Sequence, residues 1–289
     1  MTTFHFGDIS VTRIEESLHP VFDPFKFLPD YDPDLVAPHM DWFAPNHFDP
    51  QSGRLVVSMH SWLVRTPRHT ILIDTCVGDH THMPTLPAYH MQEFPWLDNL
   101  AAAGVQPEEV DYVLCTHLHS DHVGWHTRLQ DGRHVPTFPN ARYVISKTEF
   151  DNAAASENAE DNNGAFLNRI MPVVDAGLSE LVSGDHGIGD HLTITPAPGH
   201  TPGHVAMRLS NAGENGLFIG DAMHSAIQGA FPDWNSAFCQ DPDQARATRR
   251  GLLEHCCEHN ALLLPQHFGI PYATRVRAKG DAFAFDFMP

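Results

Sequence analysis

The sequence has few positive charges. Its 289 residues include 17 lysines and arginines against 36 aspartates and glutamates, which gives a formal net charge of −19. An acidic surface of this kind repels phosphate backbones and anionic lipid, and no basic patch is visible along the chain. The composition therefore argues against nucleic acid and anionic membranes as partners, but the charge alone decides nothing about function.

Cysteine pairs and long apolar runs are also missing. The sequence has five cysteines, an odd number, and none of them form a CxxC motif. Neither a disulfide framework nor a cysteine zinc site is therefore expected. No run approaches the ~18 apolar residues of a membrane helix. Residues 1–10 lack a basic segment followed by an apolar one. We therefore expect a soluble, cytoplasmic protein.

Hydrophobic patterning predicts a mixed α/β chain. Strands are expected over residues 4–15, 54–66, 69–74, 111–115, 142–146, 191–196, 204–209, 217–220 and 261–264. Helices are expected over 96–104, 147–156 and 241–259, the last opened by an aspartate and a proline. Irregular, lid-like segments are predicted at about 18–50 and 77–95, and a polar loop at 157–164. Without a visible linker or repeat, residues 1–289 are interpreted as a single domain.

Histidine is abundant, with 22 residues, and one cluster of histidines has metal-ligand spacing. The segment from Thr116 to His122 reads THLHSDH and follows an apolar strand, so His117, His119, Asp121 and His122 lie within six residues. A helix would turn residues i and i+2 apart, whereas a strand end entering a tight turn can direct all four side chains toward one centre. Imidazole and carboxylate without thiolate suit zinc, iron or manganese.

Four ligands in one loop do not complete two metal sites, so other segments have to contribute. Three candidates, His200, Asp221 and His267, come just after predicted apolar strands. Sites built by several loops at strand ends are held by a rigid scaffold. The sequence therefore predicts a binuclear metal site assembled from distant parts of the chain.

The motifs resemble those of the metallo-β-lactamase-fold hydrolases. The matching segments occur in the family's order over residues 72–267 and are Leu72-Ile-Asp74-Thr, the THLHSDH segment, Gly199-His200-Thr-Pro-Gly-His204, Gly220-Asp221 and Gln266-His267. The resemblance implies an α/β fold, namely an αββα sandwich of two mixed sheets flanked by helices. It also implies a ligand set in which one ion is held by His117, His119 and His200, the other by Asp121, His122 and His267, and both by Asp221.

The same resemblance implies a hydrolase with two divalent metal ions, zinc in the first place and manganese or iron as alternatives. A hydroxide bridging the two ions would attack a small, fairly apolar ester or lactone, or an organophosphate triester, while Asp121 or Asp221 moves a proton. The chain is most similar to the methyl parathion hydrolase and acyl-homoserine-lactone lactonase branch, in Gly220-Asp221-Ala-Met-His224 and in Asp241-Pro-Asp-Gln.

His224 departs from the lactonases, which commonly place a tyrosine at the equivalent position. A hydrogen bond from His224 to the negative oxygen of the transition state and simple packing beside the site both remain open. Asp74 is interpreted as a turn cap, as an acceptor that orients a metal-bound imidazole, or as both. His204 is expected to be structural, and His80, His82, His90, His126 and His134 to lie in loops or on the surface.

Two other classes of function remain as alternatives. A phosphodiesterase or nuclease of the same fold is disfavoured by the acidic charge, and a non-hydrolytic redox or sensor protein with two metals is the second. The aromatic residues between Phe22 and Phe48 favour either the wall of a substrate pocket or a loop packed on the surface or at a homodimer contact.

Overall fold

The computed structural model describes residues 2–155 and 162–288. Strands in these residues are β1 Thr3–Phe6, β2 Ile9–Phe22, β3 Phe48–Asp49, β4 Arg54–Arg65, β5 Thr70–Ile73, β6 Tyr112–Leu114, β7 Thr127–Gln130, β8 Arg133–Pro136, β9 Arg142–Ser146, β10 Ser179–Val182, β11 His186–Ile188, β12 Leu192–Pro196, β13 Val205–Asn211, β14 Glu214–Phe218, β15 Leu262–Leu264, β16 Ala273–Lys279 and β17 Ala282–Met288.

The α-helices are mostly short. They are α1 Pro24–Phe27, α2 Pro33–Val36, α3 Met40–Phe43, α4 Trp96–Ala102, α5 Ser120–Val123, α6 Lys147–Ala155, α7 Met171–Asp175 and α8 Pro242–His259. Single 3-10 or π turns occupy Ala37–His39, Pro107–Glu109, Gly124–His126, Phe166–Ile170, Gly220–Ala222 and Ala226–Gly229. None of the helices in the described part of the chain is long and apolar enough to cross a membrane.

The chain divides into two compact units, one of residues 1–17 and 59–190, the other of residues 18–58 and 191–289. Strands of the first unit follow the order β1-β2-β4-β5-β6-β9-β10, in which β5, β6, β9 and β10 are parallel. Their buried side chains form a core around Leu72, Val113 and the stacked rings of Trp96 and Trp125, whose centroids are 5.5 Å apart.

One buried carboxylate also belongs to the first unit. Glu16 accepts hydrogen bonds from the backbone N–H groups of Val77 and Gly78, each at 2.9 Å, and from the Trp125 indole at 2.8 Å. Burial nevertheless raises the pKa of Glu16 to about 7, because the desolvation of its charge outweighs these three donors.

Strands of the second unit follow the order β12-β13-β14-β15-β16-β17, in which β14 and β15 are parallel and the other neighbours are antiparallel. Helix α8 packs its buried Leu253 and Cys256 into the core of this sheet. A second cluster joins α1 and α3 to Ile227 and Trp234. In this unit His47 is buried among aromatic rings, with its ring centroid 4.9 Å from that of Phe287, and burial lowers its pKa to about 4.

The predicted strands and helices are found with shifts of a few residues, with exceptions that have physical causes. The single strand predicted over 4–15 is instead an antiparallel pair, β1 and β2, because the chain turns at Gly7, which has a positive φ. The segment predicted as irregular over 18–50 is partly regular, because β2 extends to Phe22 and three short helices follow. Asp23 and Asp32 cap α1 and α2, and each helix begins with a proline. Residues 77–95 contain no helix or strand. Residues 157–161 of the predicted polar loop lie outside the described part of the chain.

Several short or edge strands are absent from the sequence prediction. They are the β7–β8 hairpin, the strands β3, β10 and β11, and the C-terminal β16–β17 hairpin. The strand Ala273–Lys279, ATRVRAK, alternates from Arg275 onward but has three basic residues and small alanines where large β-formers would give a clear signal, so its pairing is determined by neighbouring strands. The prediction of a single domain over 1–289 stays a prediction.

Candidate metal centre

Parallel pairing in the first unit places two candidate segments side by side. Strands β5 and β6 pair with Ile73 opposite Leu114. Because parallel strands end at the same edge of a sheet, Asp74 at the end of β5 lies next to Thr116 at the end of β6. The register of two short buried strands therefore determines where the histidine segment begins.

Asp74 fixes both ends of that segment. Its Oδ1 accepts the Thr116 backbone N–H at 2.7 Å, and its Oδ2 accepts the Thr116 hydroxyl at 2.9 Å. The same Oδ2 lies 2.9 Å from Nδ1 of His122, and both side chains are fully buried. A carboxylate at Nδ1 keeps the proton there and leaves the lone pair on Nε2, as expected for a histidine that binds a cation.

The other side chains of the segment converge on the same place. The ring centroid of His117 lies 4.4 Å from that of His119 and 4.1 Å from that of His122. Nδ1 of His117 is 3.1 Å from the Thr116 hydroxyl. Asp121, in the first turn of α5, places Oδ2 3.8 Å from Nε2 of His122. The first unit thus brings together the four predicted ligands of the THLHSDH segment.

Strand register in the second unit places another pair of candidates. Strands β14 and β15 are parallel with Phe218 opposite Leu264. Asp221 and His267 each come three residues later, so both side chains lie beyond the same edge of this sheet. Strand β12 is antiparallel to β13 and therefore runs in the direction of β14. It brings His200 to that edge four residues after its last residue, Pro196.

Asp221 is surrounded by imidazoles. Its Oδ1 lies 2.9 Å from Nε2 of His267, and its Oδ2 lies 3.3 Å from Nε2 of His200 and 3.1 Å from Nε2 of His224. Nδ1 of His267 faces the Ser58 carbonyl at 3.1 Å. Since a carbonyl only accepts, that nitrogen holds the proton of the neutral ring. The Nε2 lone pair of His267 and a carboxylate oxygen then face each other at 2.9 Å.

Two acceptors at that distance repel unless a proton or a metal cation lies between or beside them. The donor set therefore suits a metal ion: imidazole nitrogens and carboxylate oxygens, no thiolate, and a partner at the Nδ1 atoms of His122 and His267. Among the described residues, His117 and His119 offer ligand atoms within 4.8 Å of each other, as do Asp121 and His122, and His200 and Asp221.

The backbone of the second unit supports Asp221 and His200 closely. His204 holds its Nδ1 3.0 Å from the Ala197 carbonyl and accepts the Asp221 backbone N–H at Nε2, at 3.1 Å. His204 is thus structural, as predicted. Gly199 has φ +130°, and a Cβ there would lie 2.3 Å from the backbone nitrogen of Ala245 in α8. Glycine is required where the His200 loop meets the helix.

His224 lies beside Asp221 in an apolar setting. Its ring meets Phe27 edge to face with centroids 5.5 Å apart, and its Nε2 is 3.4 Å from the Ser236 hydroxyl. Burial lowers the pKa of His224, and the negative charge of Asp221 opposes this shift. The sequence prediction that His224 donates to the transition state stays a prediction.

Arg249 holds the segment that follows Asp221, and sequence reasoning missed it. This buried guanidinium donates from Nε to the Ala222 carbonyl at 2.8 Å, and from its two terminal nitrogens to the Pro232 carbonyl at 2.6 Å and Asn235 Oδ1 at 2.9 Å. Burial lowers the pKa of Arg249 to about 10. An arginine on a predicted amphipathic helix gives no signal of such a role, because most arginines there face solvent.

Other contacts at the site were also not predicted. The buried Glu149 accepts the Leu118 backbone N–H at 3.2 Å. Gln228 accepts the backbone N–H groups of His224 and Ser225. His126, expected in a loop or on the surface, lies in the turn Gly124–His126 but is fully buried, with Nδ1 2.8 Å from the Thr75 hydroxyl.

Comparison with known sequences gives a family match over most of the chain. The sequence model of the family described as "Metallo-beta-lactamase superfamily" matches residues 56–255. A hydroxyacylglutathione hydrolase of Aeromonas salmonicida (strain A449) is 30% identical over 164 residues, 57% of this chain and 46% of that protein. An N-acyl homoserine lactonase of Bacillus sp is 27% identical over 111 residues, 38% of this chain and 37% of that protein. The chain thus spans less than half the length of these curated relatives, which are hydrolases.

Comparison with solved structures shows the fold. The hydrolase AbOPH of the beta lactamase superfamily matches with a TM-score of 0.84 and 24% identity, over 99% of this chain and 97% of that one. AidC, a dizinc quorum-quenching lactonase, matches with a TM-score of 0.83 and 21% identity, over 100% and 97%. The predicted metallo-β-lactamase fold with two mixed sheets and helices is therefore confirmed.

Proposed function

Because the chain belongs to the metallo-beta-lactamase superfamily, as its motifs predict, we propose that it is a binuclear metal-dependent hydrolase of a small, fairly apolar ester or lactone. Organophosphate triesters are the next substrate class. One observation supports this above others: the two oxygens of Asp221 each face an imidazole Nε2, His267 at 2.9 Å and His200 at 3.3 Å. A carboxylate so placed is suited to bridge two cations.

The ligand assignment follows from this role of Asp221. We propose that one ion is held by His117, His119 and His200, and the other by Asp121, His122 and His267, with Asp221 shared. Zinc is the expected metal, because imidazole and carboxylate ligands suit it, with manganese or iron as alternatives. When bound, the pair of ions would lower the pKa of a water and polarise the oxygen of the substrate.

The side chains of the centre have separate tasks in this proposal. Asp74 keeps His122 in the tautomer that binds through Nε2. Asp121 is only partly buried and can take up the proton released in the reaction. Nε2 of His224 lies 3.1 Å from Oδ2 of Asp221. His224 can therefore act by positioning Asp221, in addition to the predicted contact with the substrate.

The preference for an apolar substrate rests on aromatic rings near His224. The ring of Phe27 packs edge to face against His224. Its centroid lies 4.3 Å from that of Phe22 and 5.7 Å from that of Phe238. The side chain of Phe238 is half exposed, so part of this aromatic wall is open to a ligand. An apolar wall beside a few polar groups is the usual composition of a small-molecule site.

Thioesters form a second candidate substrate class, favoured by the 30% identity to a hydroxyacylglutathione hydrolase. An anionic thioester would meet a chain of net charge −19 and needs a cationic contact to offset the repulsion. The same charge disfavours phosphodiesters. We therefore place neutral esters and lactones first.

A substrate panel tests the proposal directly. Protein loaded with zinc or with manganese is assayed with N-acyl homoserine lactones, aryl esters, a phosphotriester, S-lactoylglutathione and bis(p-nitrophenyl) phosphate. We expect the best lactone or ester to exceed the phosphodiester in kcat/KM by at least about tenfold, which is ~1.4 kcal/mol of transition-state stabilisation. The reverse order would support the phosphodiesterase alternative, and no turnover of any member would contradict the hydrolase proposal.

A further inference from the structure

A cavity lies in the second unit, next to the turn Ala226–Gly229 that follows His224. Its volume is about 460 Å³, within the roughly 300–1,000 Å³ of small-molecule sites. Its walls include Ala226 and Ala230 of that turn, Phe285 of β17, and Trp42 of α3. The small alanine side chains leave space that leucine or valine would fill.

The polar side chains that line this cavity are hydrogen-bond donors, and one of them is a cation. It includes Lys279, at the end of β16, and His39. Nδ1 of His39 accepts the Trp42 indole N–H at 3.3 Å, so the neutral ring keeps its proton on Nε2 and has a donor there. Burial lowers the pKa of His39 and the positive charge of Lys279 lowers it further, so the ammonium group is close enough to affect the ring.

Lys279 is unusual for this chain. The sequence has three lysines and a net charge of −19, yet one of the three lies at an apolar cavity. One ammonium and one imidazole donor beside apolar walls match a ligand with a single negative group and an apolar body. A phosphate dianion or a polyanion would need more cations than this cavity offers.

We propose that this cavity binds a small amphipathic carboxylate, with its apolar part between Ala230 and Phe285 and its carboxylate at Lys279. The class includes medium-chain fatty acids and arylalkanoic acids. Such a ligand would lie against the turn Ala226–Gly229 rather than against the metal ligands.

The turn Ala226–Gly229 connects the cavity with His224 inside the second unit. A Cβ on Gly229 would lie 2.5 Å from Cζ of Phe285, so the ring rests directly on the backbone of the turn. The neighbouring Gln228 accepts the His224 backbone N–H at 2.8 Å. A ligand that shifts Phe285 therefore acts on a turn that is hydrogen-bonded to His224.

The proposal is tested by calorimetric binding of octanoate, with octanol, butanoate and inorganic phosphate for comparison. Protein as purified, with its metal, is used; none of these compounds is an ester or a lactone, so the result does not depend on the proposed hydrolysis. We expect saturable octanoate binding at least fivefold tighter than octanol binding. We also expect a gain of up to about fourfold per CH₂ from butanoate to octanoate, and no phosphate binding.

Variants locate the site. Lys279→Gln should weaken octanoate binding at least fivefold and remove the preference over octanol, while Lys279→Arg should retain it. Ala230→Leu, which adds a larger side chain to the cavity wall, should abolish binding with its circular dichroism spectrum unchanged. Lys26→Gln, at an exposed lysine of the same unit, should bind as the wild type does. Equal binding by Ala230→Leu and wild type, or no saturation at about 10 mM octanoate, would overturn the proposal.

Discussion

The two groups of candidate ligands are built in opposite ways. In the first unit, four ligands lie within six consecutive residues, and Asp74 aligns them by accepting hydrogen bonds at both ends of the segment. In the second unit, His200, Asp221 and His267 are spread over 68 residues and meet because β12, β14 and β15 end at one sheet edge. Local hydrogen bonds position the first group, whereas strand register positions the second.

This contrast explains which parts could be predicted from the sequence. The THLHSDH segment is recognisable by itself because spacing alone limits where its side chains can point. His200, Asp221 and His267 are single residues after apolar strands, so position made them candidates, and the family resemblance was needed to assign them to two ions. The roles of Arg249 and His126 depend on tertiary packing that leaves no local pattern, as do the hairpins of β7–β8 and β16–β17.

The largest effect is expected at Asp221, since it contacts three imidazoles at once. Wild-type protein purified without chelator should contain two metal equivalents. Asp221→Ala should lose about one of them, and kcat/KM should fall at least about 10³-fold, ~4 kcal/mol. Elemental analysis and steady-state kinetics on the best substrate measure both. A variant that keeps two metals and near-normal turnover would exclude a bridging role.

Each unit also has a buried titratable group, and the two groups should act on stability with opposite sign. The pKa of His47 is lowered to about 4 in the folded state, so its contribution to stability is lost as pH falls from about 6.5 to 4. The pKa of Glu16 is raised to about 7, so the folded state is penalised as pH rises from about 4.5 to 7. For each residue, the free energy of unfolding changes by roughly 3 kcal/mol between the two pH values.

Urea unfolding between pH 4 and pH 8 separates these contributions. Relative to wild type, His47→Phe should gain stability at acid pH, and Glu16→Gln should gain it above neutrality. The differences should disappear at the opposite end of each window. A pH-independent difference for either variant would mean that the residue is not titrating as described.

A smaller effect is expected at Asp74, which positions ligands without binding metal in this proposal. Asp74→Asn should lower metal affinity or kcat/KM by about 10- to 100-fold, the usual range for residues that orient metal-bound histidines. Asp111→Asn is the matched control, because Asp111 accepts one exposed backbone N–H at the opposite end of β5. If both variants behave alike, the local alignment of the first group does not depend on Asp74.

The smallest effect is expected at His224. His224→Ala should retain two metals while kcat falls by roughly tenfold, about 1.4 kcal/mol. Loss of one metal would make His224 a ligand or an essential support of Asp221. Unchanged kinetics would make His224 a packing residue. The contrast between the locally positioned ligands and those positioned by strand register would then involve only the seven predicted metal ligands.

Arg249 gives the chain between Ala222 and Asn235 a fixed path. Three acceptors spaced along this stretch bind one rigid, planar guanidinium, and the helix that supplies it also packs against Gly199 beside His200. The stretch is therefore held in one backbone conformation and is not a flexible loop. New substrate preferences are easier to reach in such a stretch by exchanging its side chains, Phe231 or Trp234 for example, than by inserting or deleting residues. Any change of length would displace at least one acceptor and leave a buried charge without its full set of partners.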